Sequence, residues 1–341
     1  MPGPLASVSA TDYHTAGEPF RIVSKNLPSL LGRTVLDKRA HALANEKLEV
    51  IRKLLVNEPR GHADMYGGFI VEPNDEGAHF GVLFWHGDGY STACGHGTIA
   101  LGAWAIDAGI VPANPDGDTT VTIDVPSGRV HALVKQKEGI IREISFKNVF
   151  SHVVATEVPI TLDSGREITV DIAYGGANYA SVAAATIGTS LDPKNLDELI
   201  RAGREIKQKL QLAPESHSHA DERLNGIYGT IIYEEVAASA TEIHQKNVTI
   251  YADGRVDRSP CGSGTAARIA QLESMGSLKM GMALTHDSIV GTRFRGYIES
   301  LHTEASQRGV FPVISGLASK TSDSVFQLFP DDELPEGFSL R

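Results

Sequence analysis

Two short segments of this chain nearly repeat each other: Cys94-Gly-His-Gly-Thr-Ile-Ala and Cys261-Gly-Ser-Gly-Thr-Ala-Ala. They hold the only two cysteines in 341 residues. In both, a Gly-x-Gly-Thr turn leads into an apolar stretch that reads as a helix, and a glycine (Gly109 or Gly276) follows fifteen residues after the cysteine. Matched turn-to-helix junctions of this kind predict two similarly built α/β halves. They also predict two thiols that face one another across one small substrate.

The bulk numbers narrow the class. A chain of this length can build two domains, each with its own core. Hydrophobic content of 41% and charged content of 21% are ordinary for a globular protein. A net charge of -11 argues against nucleic acid or an anionic membrane as partner, but not against a small acid held by local N–H groups. No apolar run approaches the roughly 20 residues that cross a bilayer. The opening MPGPLASVSATDYHT lacks the basic cluster and apolar core of a secretion signal, so a cytoplasmic enzyme is expected. Two distant cysteines are no disulfide framework.

Along the chain, residues 34–57 carry apolar positions at helical spacing (Leu36, Ala40, Leu43, Leu48, Ile51, Leu55) and predict one helix, stopped by Asn57-Glu58-Pro59. Further helices are expected from Thr98 to Ala108 and from about Asn195 to Leu212. TVTIDVPSGRVHALV predicts a hairpin bent at Pro126-Ser127-Gly128. A weaker echo pairs Tyr66-Gly67-Gly68 with Tyr174-Gly175-Gly176. The expected halves are residues 1–148, completed by about 312–341, and residues 149–311, with the crossing near 145–155.

The junctions have a definite chemistry. The first turn of a helix leaves N–H groups unpaired and carries partial positive charge. A carboxylate can rest there, and a cysteine there ionises more easily. Two such junctions could hold a substrate carboxylate with a sulfur on each side of its alpha carbon. One thiolate takes the alpha proton, the N–H donors stabilise the charge that spreads onto the carboxylate, and the other thiol returns a proton. His96 could bond the substrate carboxylate or tune the Cys94 thiol. Asp257 could receive the substrate's ammonium, since a buried cation needs a partner.

Plainer readings compete. A buried free cysteine is usually a small apolar filler, and only the matched flanks favour catalysis. Cys94 with His96 could be a protease-type nucleophile and base, which leaves the second thiol unexplained. Asp257 could cap a turn or pair with Arg258. His217 and His219 invite a metal reading, but they lie in a polar loop without a clear third ligand. GHGT and GSGT are too short for a dinucleotide fingerprint.

These residues resemble the proline racemase family almost end to end. The resemblance rests on Asp12-Tyr13-His14-Thr15-Ala16-Gly17-Glu18-Pro19, Glu58-Pro59-Arg60-Gly61-His62, Met65-Tyr66-Gly67 and Asp171-Ile172-Ala173-Tyr174-Gly175-Gly176. Its most specific parts are Gly89-Tyr90-Ser91-Thr92-Ala93-Cys94-Gly95-His96-Gly97 and Asp257-Arg258-Ser259-Pro260-Cys261-Gly262-Ser263-Gly264. It implies an α/β (α+β) fold like diaminopimelate epimerase, with strands wrapped around a central helix in each of two pseudo-symmetric lobes and the active site between them. It implies Cys94 and Cys261 as the catalytic acid/base pair, with Cys94 the usual proton acceptor. Substrate contacts would fall to Gly95, His96, Asp257, Gly262 and Ser263. No metal or organic cofactor is implied, and the expected partner is a small molecule, proline or a hydroxyproline. A homodimer is compatible with this reading.

Within the family, cysteine at both turns goes with proline racemases and 4-hydroxyproline 2-epimerases, and threonine at the second turn with trans-3-hydroxy-L-proline dehydratases. Cys261 therefore favours inversion. Ser263 and the flanking phrases Tyr251-Ala252-Asp253-Gly254-Arg255-Val256-Asp257, Ala267-Arg268-Ile269-Ala270 and Tyr228-Gly229-Thr230-Ile231 lean toward the dehydratases. The residue that touches the chemistry carries more weight, so the expectation is inversion, with dehydration as the alternative. Phe69, Tyr90 and Tyr179 are candidates for sensing the ring substituent that spacing alone cannot place.

Overall fold

The computed structural model describes residues 6–217, 219–304 and 306–340. The chain forms two compact units, Met1–Ile144 with Leu317–Arg341 and Ser145–Gly316.

In the first unit, strand Ala6–Thr15 pairs antiparallel with Glu18–Val23 on one side and with the returning strand Ala318–Leu328 on the other. Glu18–Val23 lies parallel to Tyr66–Val71, which pairs antiparallel with Phe80–His86. Phe80–His86 then runs parallel to Asp118–Val125, whose hairpin partner is Gly128–Lys137. Helix α1 (Val35–Leu43), helix α2 (Glu46–Val56) and helix α3 (Gly95–Asp107) complete the unit.

The single helix expected over 34–57 is two. The first ends at Leu43 with Ala44 as its C-cap, and Asn45 starts the next, because its side chain accepts the Leu48 N–H as an N-cap. The break turns Leu43 out to solvent, while Leu48, Leu54 and Leu55 enter the core beside Trp85 and Phe69.

α3 is apolar all round, and such a helix must be enclosed. It packs against strands Ala6–Thr15, Glu18–Val23, Asp118–Val125, Gly128–Lys137 and Ala318–Leu328 of its own unit. Small residues permit the close approach: a Cβ on Gly102 would stand 2.9 Å from Ala132 Cβ. Ile99 and Leu101 are fully buried, which stabilises the unit by about 1.5–3 kcal/mol per side chain.

The second unit holds helices α4 (Ala184–Ile187), α5 (Leu196–Leu210) and α6 (Gly262–Ser274). Its strands follow one another from Ser151–Thr161 through Glu167–Tyr174, Asn178–Ala183, Ile227–Ala238, Glu242–Tyr251, Ala283–Asp287, Arg293–Glu304 and Gln307–Gly316. The last pairs back onto the first through Gly309↔His152 and Val310↔Ser151, so the ladder closes on itself. α6 is buried from Gly262 to Leu272 and packs against strands of this ring. α5 lies against the ring with Leu199, Ile206 and Leu210 inward.

α3 and α6 are matched in construction. Each has a cysteine at its N-cap, thirteen residues, and a left-handed glycine after its C-cap: Gly109 at φ 67° and Gly276 at φ 72°. The Tyr-Gly-Gly echo is not matched. Tyr66 opens its strand, whereas Tyr174 ends its own, and the glycines serve different contacts. A Cβ on Gly67 would strike the Trp85 ring, while one on Gly175 would lie 2.3 Å from the Ser263 carbonyl oxygen.

Candidate active site

The opening phrase of the chain folds onto the Cys94 turn. Thr15 Oγ1 donates to the His96 carbonyl at 2.9 Å. The His96 ring sits between Phe20 and Tyr66, both edge-on, with centroids 5.9 and 5.0 Å away. Tyr66 is anchored in turn by its hydroxyl, 2.5 Å from Ser91 Oγ. Burial pulls His96 down to about 3, partly offset by a hydrogen bond to the Pro19 backbone, so the imidazole is neutral at physiological pH.

Cys94 takes extended backbone geometry at φ -155° and caps α3 with its own sulfur. The Gly97 N–H points at Sγ from 3.3 Å, and the His96 ring nitrogens lie 3.5 and 3.6 Å from it. A helix-start N–H aimed at sulfur favours the thiolate.

The Cys261 turn differs. Its φ is 62° at ψ 105°, a left-handed setting that typically costs a non-glycine residue about 1–3 kcal/mol. Asp257 underlies it: Oδ1 accepts the Ser259 N–H at 2.8 Å and the Ser259 hydroxyl at 2.7 Å. The Cys261 N–H donates to Ser259 Oγ at 3.0 Å. Burial raises the Asp257 carboxyl to about 6, against the lowering effect of Ser259.

The Cys261 sulfhydryl donates toward the Tyr179 hydroxyl at 3.9 Å, and that hydroxyl lies 2.7 Å from Ser263 Oγ. Burial pushes the Cys261 thiol well up and the Asp257 carboxylate adds to the effect, while the Gly264 N–H and Thr249 hydroxyl oppose it. The second sulfur is therefore held as a thiol. Burial likewise raises the Tyr179 phenol.

Of the sequence-derived candidates, Gly95, His96 and Cys94 gather at the start of α3. Asp257, Cys261, Gly262 and Ser263 gather at the start of α6. Tyr179 joins the second group, whereas Phe69 and Tyr90 pack into the apolar cluster with Trp85 and are core. His217 bonds the Gln211 carbonyl oxygen and His219 lies against Tyr174, tilted by 40° with centroids 5.4 Å apart. Among the described residues, no group of three or more His, Cys, Asp or Glu is placed to hold a metal. Sequence reasoning missed Ser259 as the link between Asp257 and Cys261, although a serine two residues after an aspartate is a common local turn. It also missed the fully buried Arg268, whose guanidinium bonds Gln245 and Gln271 and stacks on Tyr233.

Two strand-enclosed helices, each with a cysteine at its N-cap position, define the class: an α/β fold of the diaminopimelate epimerase-like kind. Its breadth shows in a PhzF-family phenazine biosynthesis protein of Bacillus anthracis, at TM-score 0.56 and 13% identity over 94% of this chain and 99% of that one. That likeness concerns the fold alone. The sequence model of the proline racemase family matches residues 10–339, and the chain belongs to that family of enzymes.

The chain is 40% identical to the trans-3-hydroxy-L-proline dehydratase of Bacillus thuringiensis subsp. konkukian, over 96% of its length and 97% of the relative's. It is also 40% identical to the 3-hydroxyproline 2-epimerase of Burkholderia multivorans, over 98% of each. The crystal structure of a hydroxyproline epimerase from Agrobacterium vitis, with bound trans-4-hydroxy-L-proline, matches at TM-score 0.89 and 26% identity over 99% of this chain and 97% of that one. Among the described residues, no helix is long and apolar enough to cross a membrane.

Proposed function

We propose that the enzyme inverts the alpha carbon of a hydroxyproline, with 3-hydroxyproline the first substrate to test, using Cys94 and Cys261 as a base and an acid. The observation that carries this reading is that each helix start presents one buried sulfur in a different setting. The neutral His96 ring lies 3.5 Å from Cys94, while burial and the Asp257 carboxylate push the Cys261 thiol up.

The Cys94 thiolate removes the alpha proton and becomes a thiol. The electron pair of the broken C–H bond spreads into the carboxylate, whose oxygens accept from N–H groups at the helix starts, including those of Gly95 and Gly262. Ser263 adds a hydroxyl to this cradle and His96 a neutral ring. Asp257, ionised above about pH 6, receives the substrate's ammonium. The Cys261 thiol then gives its proton to the opposite face and is left as the thiolate. Proton exchange with water, or reaction in reverse, resets the pair.

Dehydration of trans-3-hydroxy-L-proline is the second reading, supported by the name of the Bacillus relative. It shares the first step. The 3-hydroxyl then leaves as water, taking the proton that Cys94 has just gained, and the enamine becomes the cyclic imine Δ1-pyrroline-2-carboxylate by moving its N–H proton to carbon 3. No proton need reach the opposite face of the alpha carbon.

Proton NMR in heavy water separates the readings, with L-proline, trans-4-hydroxy-L-proline and trans-3-hydroxy-L-proline in parallel. Inversion gives an epimer deuterated at the alpha carbon, and dehydration gives the imine without an epimer. Cys261→Thr should abolish inversion while leaving any dehydration in place. An unchanged epimer yield in that variant removes Cys261 from the mechanism.

A further inference from the structure

The two junctions read alike in sequence, yet their threonines do different work. Thr98, four residues after Cys94, donates its hydroxyl to the Cys94 carbonyl at 2.8 Å, an ordinary bond back along its own helix. Thr265 holds the same place after Cys261, but its hydroxyl reaches out of the helix. Oγ1 lies 3.1 Å from the Pro260 carbonyl oxygen and 2.8 Å from Nδ1 of the fully buried His286.

A hydroxyl has one proton. If it pointed at His286, two oxygens would face each other without a hydrogen between them. Both contacts are satisfied when the hydroxyl donates to the Pro260 carbonyl and accepts from a protonated Nδ1. Asn247 Nδ2 donates to the same Pro260 carbonyl at 3.2 Å and to the Asp287 carbonyl at 3.3 Å. The Thr265 N–H closes the turn on the Cys261 carbonyl at 2.7 Å.

The peptide just before Cys261 is thus clamped from behind by the end of strand Ala283–Asp287. Cys261 is the residue held at φ 62°, whereas Cys94, whose preceding Ala93 carbonyl accepts from Ser91 Oγ at 3.3 Å, lies at φ -155°. A strained conformation persists only where its surroundings over-determine it.

We infer that Thr265 and His286 are positioning residues that hold Cys261 in its left-handed conformation and so aim its sulfur at the substrate. Their effect on turnover rests on the inversion reading above; their effect on the conformation of Cys261 does not. Neither residue touches the reacting atoms. Their loss should impair the step that needs Cys261 more than the step that needs Cys94.

The test uses Thr265→Val, nearly isosteric but without the hydroxyl, and Thr265→Ser, which keeps it. Cysteine labelled with 13C at Cβ gives one signal for each of the two thiol residues, assigned with Cys94→Ser. In Thr265→Val the Cys261 signal should move or split while that of Cys94 stays, and Thr265→Ser should restore it. Formation of the epimer should fall at least about tenfold in Thr265→Val, with alpha-proton exchange in the unconverted substrate falling less than about threefold. His286→Leu should behave like Thr265→Val, and His286→Asn, which keeps a donor at the Nδ1 position, should lie nearer the wild type.

An unmoved Cys261 signal in Thr265→Val overturns the inference, as does an equal fall in exchange and inversion. A wild-type enzyme that inverts no imino acid, together with a displaced Cys261 signal in Thr265→Val, sinks the activity reading and leaves the positioning role standing.

Discussion

Gly264 leaves room for the sulfur of Cys261: a Cβ added there would lie 2.9 Å from Sγ. Gly97 stands in the same relation to Cys94, at 2.7 Å. The glycine three residues past each cysteine keeps the first helical turn open, so the sulfur can rest over the N–H groups. In Gly264→Ala the sulfur must shift, because the other near atoms, Cys261 Cβ and Ile231 Cδ1, are 3.2 and 3.3 Å away. Displacing a reacting atom by about 1 Å costs on the order of 10²-fold in turnover. We expect that loss in kcat with little change in substrate affinity. Unaltered turnover would show that the sulfur does not need its place over α6.

The pH profile of kcat/KM should carry an acid limb near pH 6. Asp257 must be ionised to receive an ammonium group, and burial holds its carboxyl at about 6. Activity therefore rises with pH through that value and levels above it. Asp257→Asn should lower kcat/KM and remove the limb. A limb of the same midpoint in the variant would assign it to another group.

Acid should loosen the fold before its surface carboxylates are all protonated. His96 and His286 are buried as neutral rings, each lowered from 6.5 to about 3 by desolvation. Their contribution is fully present above pH 6.5 and is lost as pH falls toward 3. By pH 4.5 the two together cost about 5 kcal/mol, at about 1.4 kcal/mol per unit per group. Asp257 acts in the opposite sense: raised from 3.8 to about 6, it returns about 2 kcal/mol between pH 6 and pH 4.5. The balance of these three groups is a loss of about 3 kcal/mol, to which His152, lowered to about 4 by burial, adds in the same direction; urea unfolding at pH 6.5 and pH 4.5 measures the sum. Equal stability at the two values would contradict the neutral buried state of both histidines.

Much of this was legible in the residues because local chemistry dictates it. Cysteine followed by Gly-x-Gly-Thr and an apolar run has few outcomes other than an enclosed helix starting after the cysteine, and α3 and α6 take that form. The break before Asn45 was hidden because apolar spacing runs through it, and only the capping bond of the asparagine side chain marks the start of a second helix. The difference between the two turns was hidden for another reason. The left-handed setting of Cys261 depends on Asn247 and His286, which come from other strands, so no window around the cysteine contains the cause. Tyr179 was named without a place because its role follows from pairing of its strand with Ile227–Ala238, which lies far along the chain.

The most direct test of the central claim, that two different thiols serve one alpha carbon, uses 3-hydroxyproline deuterated at that carbon in ordinary water. At low conversion, the epimer should carry hydrogen from water, and the remaining substrate should lose its deuterium more slowly than the epimer forms, because removal and return occur on different sulfurs. An epimer that keeps the substrate's own deuterium would mean that one group does both jobs. An imine formed without any epimer would equally contradict the account.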